Sequence, residues 1–391
     1  MKTIYKSIIF IAITSIAIML NFSCSDESEG TPYISYIRIP NPTQKDSLLV
    51  AATQGQLIAI MGGNLQNTRE VWFNDQKATV NQGWITSKSV MVNVPTSVPE
   101  DVTNKLKLIF ADGSGLLHEF RVAISKPVIN NMACEYVPVG GTATINGDYF
   151  YPPVSVTFPG GSVANGIDVS VNEEFTALTV KVPAGATIPG QLTITTNFGA
   201  TKSDFWFLDN RNIFQGFGLE ENTSDPEKPY GELGTNDGVI VSDPGDGDPP
   251  TINGNYLRMI FNESTWWRQL FCNWNAGFEI PKDAILNPKN YNYKFEVCTT
   301  KPYNGSGLKM WLNDMSIRNT QTFFEWKPSF DSKGVWSTFV IPLDDIATAL
   351  GNFWPGVEPD GYFCGIVYAG SSRLDCDMSF DNFRVVPKSL K

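Results

Sequence analysis

The carboxy-terminal part of the chain concentrates tryptophan beside polar residues. Seven of the ten Trp residues lie between positions 266 and 354. An indole can lie flat against the apolar C–H face of a sugar ring, while amides, carboxylates and guanidinium groups nearby hydrogen-bond to the hydroxyls of that ring. The pattern therefore indicates a carbohydrate-binding surface, and the strands and loops that carry these indoles decide which of them a ligand can reach.

Residues 308–313 alternate apolar and polar side chains with a period of two, which predicts a half-buried strand. The Leu and Met residues of this run face the core, so Trp311 shares the opposite face with Lys309 and Asn313. We predict from this that Trp311 is a sugar platform and that Asn313 hydrogen-bonds to the ligand. A tryptophan covered by a neighbouring loop is the alternative.

Trp266 and Trp267 are adjacent, and adjacent side chains in an extended strand point to opposite faces. We therefore expect one indole in the core and the other facing a ligand, without a sequence signal that tells them apart. Asn262 and Arg268 flank the pair. Their amide and guanidinium groups can form hydrogen bonds, so both residues are predicted to contact the ligand.

Two further tryptophans lie near proline in predicted loops: Trp326 is followed by Lys-Pro, and Trp354 directly by Pro. An indole exposed on a loop is unfavourable unless it is used, so we predict that both bind the ligand. Trp336, in contrast, lies in an apolar strand pattern and is predicted to belong to the core.

The overall composition excludes several other classes of function. Lys and Arg total 29 against 40 Asp and Glu, a net charge of −11, so no nucleic-acid partner is expected. The single histidine, His118, leaves no material for a multi-histidine metal site and little for histidine-based catalysis. We predict no metal, no cofactor and no catalytic residue.

A glycoside hydrolase or lyase built on a β-sandwich is the main alternative, because such enzymes also line a cleft with tryptophan. Hydrolysis needs two carboxylates about 5–9.5 Å apart, and sequence spacing does not exclude such a pair. The candidates are Glu263, Glu279, Asp314 and Glu325. A protein-binding adhesin is the second alternative.

The amino terminus has the features of an export signal. Residues 1–23 combine a basic start with an apolar stretch that is too short for a stable spanning helix, which predicts a signal peptide. Ser23-Cys24 resembles the end of a bacterial lipobox, and the resemblance implies that Cys24 is the lipidated first residue of the mature chain. Residues 24–30 are acidic and turn-rich, which indicates a flexible tether.

An internal repeat organises the next part of the chain. The blocks at 55–65, 71–74 and 90–95 recur at 141–150, 154–159 and 178–183. Each block alternates apolar and polar residues and stops at a turn residue, which predicts the strands of an antiparallel sandwich. The motif order resembles that of the IPT/TIG immunoglobulin-like domain, which implies one such domain at 31–125 and a second at 126–209. We interpret both as spacers.

Residues 210–391 are predicted to form a larger β-sandwich of the jelly-roll kind that carbohydrate-binding modules adopt. The predicted strands are 256–261, 291–298, 308–313, 336–343, 362–369 and 378–386, with one helix at 343–351. The predicted fold class is therefore all-β, with two Ig-like sandwiches followed by a jelly-roll-like carbohydrate-binding sandwich.

Five cysteines follow Cys24, and an odd number leaves at least one unpaired. Cys364 and Cys376 flank a possible hairpin and could form a disulfide. The others fit the role of small buried apolar residues.

A lipobox, two IPT/TIG-like sandwiches and a Trp-rich terminal sandwich, in that order, resemble the surface glycan-binding proteins of Bacteroidetes polysaccharide-utilisation loci, specifically the SGBP-B type. The resemblance implies a lipoprotein on the outer membrane that faces the cell exterior, and we expect a monomer. It also implies capture of a neutral β-linked polysaccharide of the xyloglucan, mixed-linkage β-glucan or β-mannan class. The implied partners are an outer-membrane importer and its associated glycan-binding lipoprotein.

Overall fold

The computed structural model describes residues 30–41, 43, 48–217, 238–264, 266–276, 280–304, 307–314, 321–327, 331–356, 362–370 and 373–389. The predicted signal peptide, Cys24, the tether up to residue 29 and Glu279 lie outside these ranges. Inside them the chain consists of β-strands with two short α-helices, so the predicted all-β class is confirmed. The chain divides into two compact units, one ending at Ile124 and the other beginning at Ser125.

The first unit holds a small sandwich whose strands alternate inward and outward side chains. Its strands are β1 (Tyr33–Arg38), β2 (Ala51–Thr53), β3 (Leu57–Gly63), β4 (Thr68–Phe73), β5 (Gln76–Ala78), β6 (Ser89–Asn93), β7 (Lys105–Phe110), β8 (Gly115–Glu119) and β9 (Arg121–Ala123). One sheet has the order β1-β3-β6 and another the order β5-β4-β7-β8, while β2 pairs in parallel with β9. Inward residues such as Ile58, Ile60, Val71 and Leu108 form a fully buried core.

A second sandwich opens the second unit and repeats this plan. Its strands are β10 (Val128–Met132), β11 (Thr142–Asp148), β12 (Ser155–Thr157), β13 (Val163–Ala164), β14 (Val169–Val171), β15 (Ala177–Lys181), β16 (Gly190–Thr196) and β17 (Gly199–Phe207). The two sheets have the orders β10-β11-β15-β14 and β13-β12-β16-β17. Ile145, Val156 and Leu192 lie in a core of its own.

The two sandwiches share a local geometry that follows from the repeated sequence. In each, the first strand is bulged, and a glycine of the partner strand lies against it. A Cβ atom on Gly62 would come 1.9 Å from the carbonyl oxygen of Tyr33, and one on Gly147 would come 1.9 Å from that of Val128. The repeated glycine is therefore required by the close approach of two strands.

The C-terminal domain is a larger sandwich in the same unit. Its strands are β18 (Ile213–Gln215), β19 (Val239–Val241), β20 (Tyr256–Ser264), β21 (Trp267–Ala276), β22 (Tyr291–Lys301), β23 (Leu308–Asp314), β24 (Phe324–Trp326), β25 (Ser337–Pro342), β26 (Tyr362–Ala369) and β27 (Arg373–Pro387). A six-stranded sheet has the order β19-β20-β27-β22-β25 with β18 paired to β27, and a four-stranded sheet has the order β21-β26-β23-β24. The strands predicted for this domain are all present, while β18, β19, β21 and β24 are additions.

The described helices are α1 (Lys282–Leu286) and α2 (Leu343–Leu350). Residues Leu343, Ile346 and Leu350 recur at helical spacing and are buried, which confirms the predicted helix. Gly351 ends α2 with a φ of 54°, a left-handed conformation that suits glycine. None of the helices in the described ranges has the length and apolar character needed to cross a membrane.

Aromatic rings fill the space between the two sheets of the C-terminal domain. Trp326 of the four-stranded sheet meets Phe295 and Phe339 of the six-stranded sheet edge-on, with ring centroids 5.0 and 5.2 Å apart. Phe295 stacks on Phe383 of the adjacent strand at 4.9 Å. Because each ring buries a large apolar area, this aromatic layer holds the sheets face to face.

The described cysteines Cys134, Cys298, Cys364 and Cys376 are buried free thiols. The suggested Cys364–Cys376 disulfide is therefore wrong. The reason is that β26 and β27 are not a hairpin, since the chain crosses from the four-stranded to the six-stranded sheet between them. Burial raises the pKa of the Cys376 thiol to about 12, so this cysteine behaves as a small apolar core residue.

Replacing Gly62 with alanine is expected to lower the free energy of unfolding of the first sandwich by about 2 kcal/mol or more, because the new methyl group overlaps a paired backbone carbonyl. Gly115→Ala in the same sandwich is the matched control, since a Cβ there lies an ordinary 3.7 Å from the carbonyl oxygen of Leu108. The control should change stability by less than about 0.5 kcal/mol. Urea unfolding followed by circular dichroism measures both, and equal stabilities of the two variants would contradict the close approach.

Candidate functional site

The C-terminal sandwich has two outer faces, and the second sandwich occupies part of one of them. The segment after β10 lies against the six-stranded sheet, where Thr338 N donates to Ala133 O at 2.8 Å and Lys294 Nζ lies 2.6 Å from Glu135 Oε1. These contacts leave Lys294 only 5% exposed. The four-stranded sheet takes no part in these contacts, which β22 and β25 of the six-stranded sheet make.

Strand register shows which side chains share the outer face of the four-stranded sheet. Trp326 pairs with Leu308 on the interior face, so the alternate positions face outward. Trp267, opposite Ala369, belongs to these outward positions. The next row along the same face consists of Gln269, Val367, Lys309 and Glu325.

Trp266 and Trp267 are exposed aromatic residues, with 72% and 40% of their surface accessible. They lie where the chain passes from β20 in one sheet to β21 in the other. The expectation that one of them is in the core is wrong, because Trp266 precedes β21 and the two residues do not alternate along one strand. Gly370 N donates to Trp266 O at 3.0 Å, so the neighbouring crossover from β26 to β27 supports this turn.

Charged and amide residues flank the two indoles in the chain. Arg268 donates to Glu263, and its guanidinium lies 5.1 Å from the ring centroid of Phe261. Asn262 accepts a hydrogen bond from Arg373. We refer to the following set as the tryptophan rim: Asn262, Glu263, Trp266, Trp267, Arg268 and Arg373. It combines two open ring faces with donors and acceptors, which is what the C–H face and the hydroxyls of a sugar require.

Arg373 is a member of the rim that sequence reasoning misses. It is 111 positions from Asn262 and approaches it because β20 and β27 are antiparallel neighbours, with Ser264 opposite Arg373. No local pattern marks this arginine, so only the strand pairing reveals it.

The side chains of β23 lie on the faces predicted for them, but the predicted exposure of Trp311 and Asn313 is wrong. Both lie on the outer face with Lys309, yet they are 3% and 0% exposed. Trp311 is opposite Gly365, which offers no side chain, and its indole stacks on Phe363 with centroids 5.7 Å apart. At this burial both residues are out of reach of a ligand.

Trp326 is buried and Trp354 is half-buried, so neither is an exposed loop residue, although Trp354 does lie in a loop as predicted. Trp326 lies in β24, is 7% exposed and belongs to the aromatic layer between the sheets. Trp354 follows the short helical turn Gly351–Phe353, donates its indole N–H to the carbonyl of Ile285 at 3.0 Å and packs against the core. Trp336 is 4% exposed, which confirms its assignment to the core.

Two of the carboxylates considered for hydrolysis form ion pairs. Glu263 forms an ion pair with Arg268, and Glu325 forms one with Lys327 at 3.4 Å. Asp314 lies at the end of β23, five positions beyond Lys309. Within the described ranges, no three His, Cys, Asp or Glu side chains are grouped so that they could hold a metal ion.

Residues 207–387 match the family model described as surface glycan-binding protein B xyloglucan binding domain. An IPT/TIG domain-containing protein of Bacteroides ovatus is 25% identical over 215 residues, which is 50% of this chain and 44% of the relative. The match thus spans less than half of the length of that relative.

Two solved structures share the architecture over 92% of the chain. Surface glycan-binding protein PbSGBP-B from Prevotella bryantii is 22% identical with a TM-score of 0.68, and 99% of it is covered. SGBP-B from a complex xyloglucan utilization locus in Bacteroides uniformis is 20% identical with a TM-score of 0.53, and 100% of it is covered. At these identities the likeness establishes a common fold.

Truncating the two classes of tryptophan should separate packing from exposure. Trp311→Ala is expected to lower the free energy of unfolding by about 3–5 kcal/mol, because it leaves a cavity in a packed layer. Trp266→Ala removes an open ring and should change it by less than about 0.5 kcal/mol. Chemical unfolding of both variants tests this, and an equally large loss for Trp266→Ala would identify the rim as a packing element.

Proposed function

We propose that this chain is a cell-surface glycan-binding protein whose C-terminal domain holds a β-linked polysaccharide at the tryptophan rim. The observation that carries the proposal is the pair of adjacent, exposed indoles Trp266 and Trp267 in a domain that matches a family model named for xyloglucan binding. The ligand class is xyloglucan, mixed-linkage β-glucan or β-mannan. A solved structure named for a xyloglucan utilization locus shares the fold and supports this class.

The energetics of the rim suit a weak, reversible binder. Each indole that stacks on a sugar ring buries roughly 100 Å² of apolar surface, which contributes about 2.5 kcal/mol at about 25 cal/mol per Å². Hydrogen bonds to charged groups such as Arg268 add about 1.5–3 kcal/mol each. Lost freedom costs about 4 kcal/mol or more, so the net affinity falls roughly between millimolar and tens of micromolar.

Weak binding becomes useful when many copies engage one polymer. In the proposed arrangement the signal peptide is removed, Cys24 carries the lipid anchor in the outer membrane, and the acidic residues up to Gly30 act as a tether. Neighbouring anchored copies then bind one polysaccharide chain together and gain retention through avidity. The chain passes the captured polymer to an outer-membrane importer and its associated glycan-binding lipoprotein.

The proposed function is binding without catalysis. Incubation of the protein with xyloglucan, mixed-linkage β-glucan and β-mannan is expected to release no new reducing ends. A reducing-sugar assay over hours, with a β-glucanase as positive control, measures this. Turnover at a rate typical of a hydrolase would favour the enzyme alternative, and the loss of that turnover in Glu263→Gln or Glu325→Gln would then identify a catalytic carboxylate.

Removal of either rim indole should weaken binding to the recognised polysaccharide. Trp266→Ala and Trp267→Ala are each expected to reduce the affinity about tenfold or more, because each removes a stacking surface worth about 2.5 kcal/mol. The double variant should show no retardation in native gels that contain the polysaccharide. Isothermal titration with xyloglucan oligosaccharides gives the affinities of the single variants.

Trp84→Ala is the matched control for these variants. Trp84 lies in the first sandwich and is 39% exposed, close to the 40% of Trp267, so it has comparable access to solvent. Its removal should leave gel retardation and affinity unchanged. Undiminished binding by the Trp266→Ala,Trp267→Ala double variant would overturn the assignment of the site.

A further inference from the structure

Four charged side chains meet in a buried cluster where the second sandwich touches the six-stranded sheet. Glu135, in the segment after β10, is 3% exposed. Lys294 and Glu296 on β22 and Arg384 on β27 are 5%, 0% and 0% exposed. These residues would lie on the outer, solvent-facing side of the sheet if the second sandwich were absent.

Glu135 binds both cations of the sheet at once. Its Oε1 lies 2.6 Å from Lys294 Nζ, and its Oε2 lies 2.7 Å from Arg384 Nη2. Arg384 also donates to both carboxylate oxygens of Glu296, at 2.8 and 2.9 Å. Among the described residues, Glu135 is the carboxylate within ion-pair distance of the Lys294 ammonium. A carboxylate from the second sandwich therefore compensates a buried charge of the C-terminal domain.

Backbone contacts attach the same segment to the edge of the sheet. Thr338 N on β25 donates to Ala133 O at 2.8 Å, and Glu135 N donates to Thr338 Oγ1 at 2.8 Å. Leu208 N donates to Glu135 O at 2.8 Å, which ties the end of β17 to the same place. The edge strand β25 thus gains a hydrogen-bonded neighbour from the second sandwich.

An apolar cluster adjoins the ions and mixes residues of both domains. Cys134 and Tyr136 come from the second sandwich, whereas Tyr256, Cys298 and Trp336 come from the C-terminal domain, and all five are buried. The rings of Tyr256 and Trp336 meet edge-on at 5.4 Å. Separating the two domains would expose this cluster as well as the ions.

We infer that the second sandwich and the C-terminal domain unfold as one cooperative body joined through Glu135. The second sandwich is then a structural part of the body that carries the tryptophan rim, in contrast to the expectation of a spacer. Opening either domain alone would strand a buried ammonium and expose the mixed apolar cluster, so neither opens alone. This inference does not depend on what the rim binds.

Hydrogen–deuterium exchange on the whole chain tests the coupling. Ile145 lies in the core of the second sandwich and is 0% exposed. Ile145→Ala is expected to speed exchange of the slowest amides of β11 and, by about the same factor, those of β22 and β27, with a rise of about thirtyfold or more. A rise confined to β10–β17 would overturn the inference.

Ile60→Ala is the matched control, because Ile60 precedes Gly62 by two positions just as Ile145 precedes Gly147. It makes the same truncation in the first unit and should leave exchange in β22 and β27 unchanged. Acceleration of β22 and β27 by this variant would show that the effect is not specific to the second sandwich, which would also overturn the inference.

A second set of variants tests the role of Glu135 itself. Glu135→Ala is expected to speed exchange in β22 and β27 about a hundredfold or more, because it leaves Lys294 buried without its carboxylate. The double variant Glu135→Ala,Lys294→Met removes the stranded charge and should exchange more slowly than Glu135→Ala. In the Glu135→Ala background, Ile145→Ala should no longer accelerate β22.

Lys301→Ala is the control for charge removal. Lys301 lies on the same strand as Lys294 and forms an exposed ion pair with Asp375, which this variant breaks. Its effect on exchange should stay below about fivefold. If Glu135→Ala does not yield folded protein, Glu135→Gln keeps the side-chain shape and should give a smaller rise in the same strands. Exchange in β22 unaffected by Glu135→Ala or Glu135→Gln would refute the assigned role.

Discussion

The layer of aromatic rings between the two sheets of the C-terminal domain is the interaction on which the rest of the molecule depends. Trp326 wedged against Phe295 and Phe339 fixes the distance and alignment of the sheets. Once the sheets are aligned, the crossovers from β20 to β21 and from β26 to β27 run side by side at one end of the sandwich. Trp266 and Trp267, both exposed, lie on the first of these crossovers, so the proposed ligand surface is positioned by the core beneath it.

A sheet in a sandwich has one inner face, and its outer face must be hydrated, covered by protein or used for binding. The outer faces of the two sheets of this domain have different surroundings. The outer face of the six-stranded sheet carries Lys294, Glu296 and Arg384, and the second sandwich covers them with Glu135. On the opposite sheet, the outward-facing Trp311 is itself buried, whereas Trp267 at the start of β21 is exposed. The contact with the neighbouring domain and the exposed Trp267 thus lie on different sheets of one sandwich.

Period-two alternation gave the correct face for Trp311 and failed on its exposure. The alternation reports only which residues share a face, whereas exposure depends on what lies above that face. Opposite Trp311 stands Gly365, and the indole packs on Phe363 instead of standing free. Trp326 shows a different error. The nearby proline suggested a loop, whereas Trp326 lies in β24 opposite Leu308 and faces the interior. Both outcomes depend on strands far away in the sequence.

The sequence by itself determined the all-β class, the repeated sandwich with its bulge-facing glycine, most strands of the C-terminal domain and the concentration of indoles there. These properties follow from local spacing, since alternation and turn residues act within a few positions. Only the tertiary structure decided which indoles are open, which arginine joins Asn262 and which carboxylate meets Lys294. Those relations join residues up to 249 positions apart, such as Glu135 and Arg384, and no local pattern encodes a contact that strand order and domain packing create.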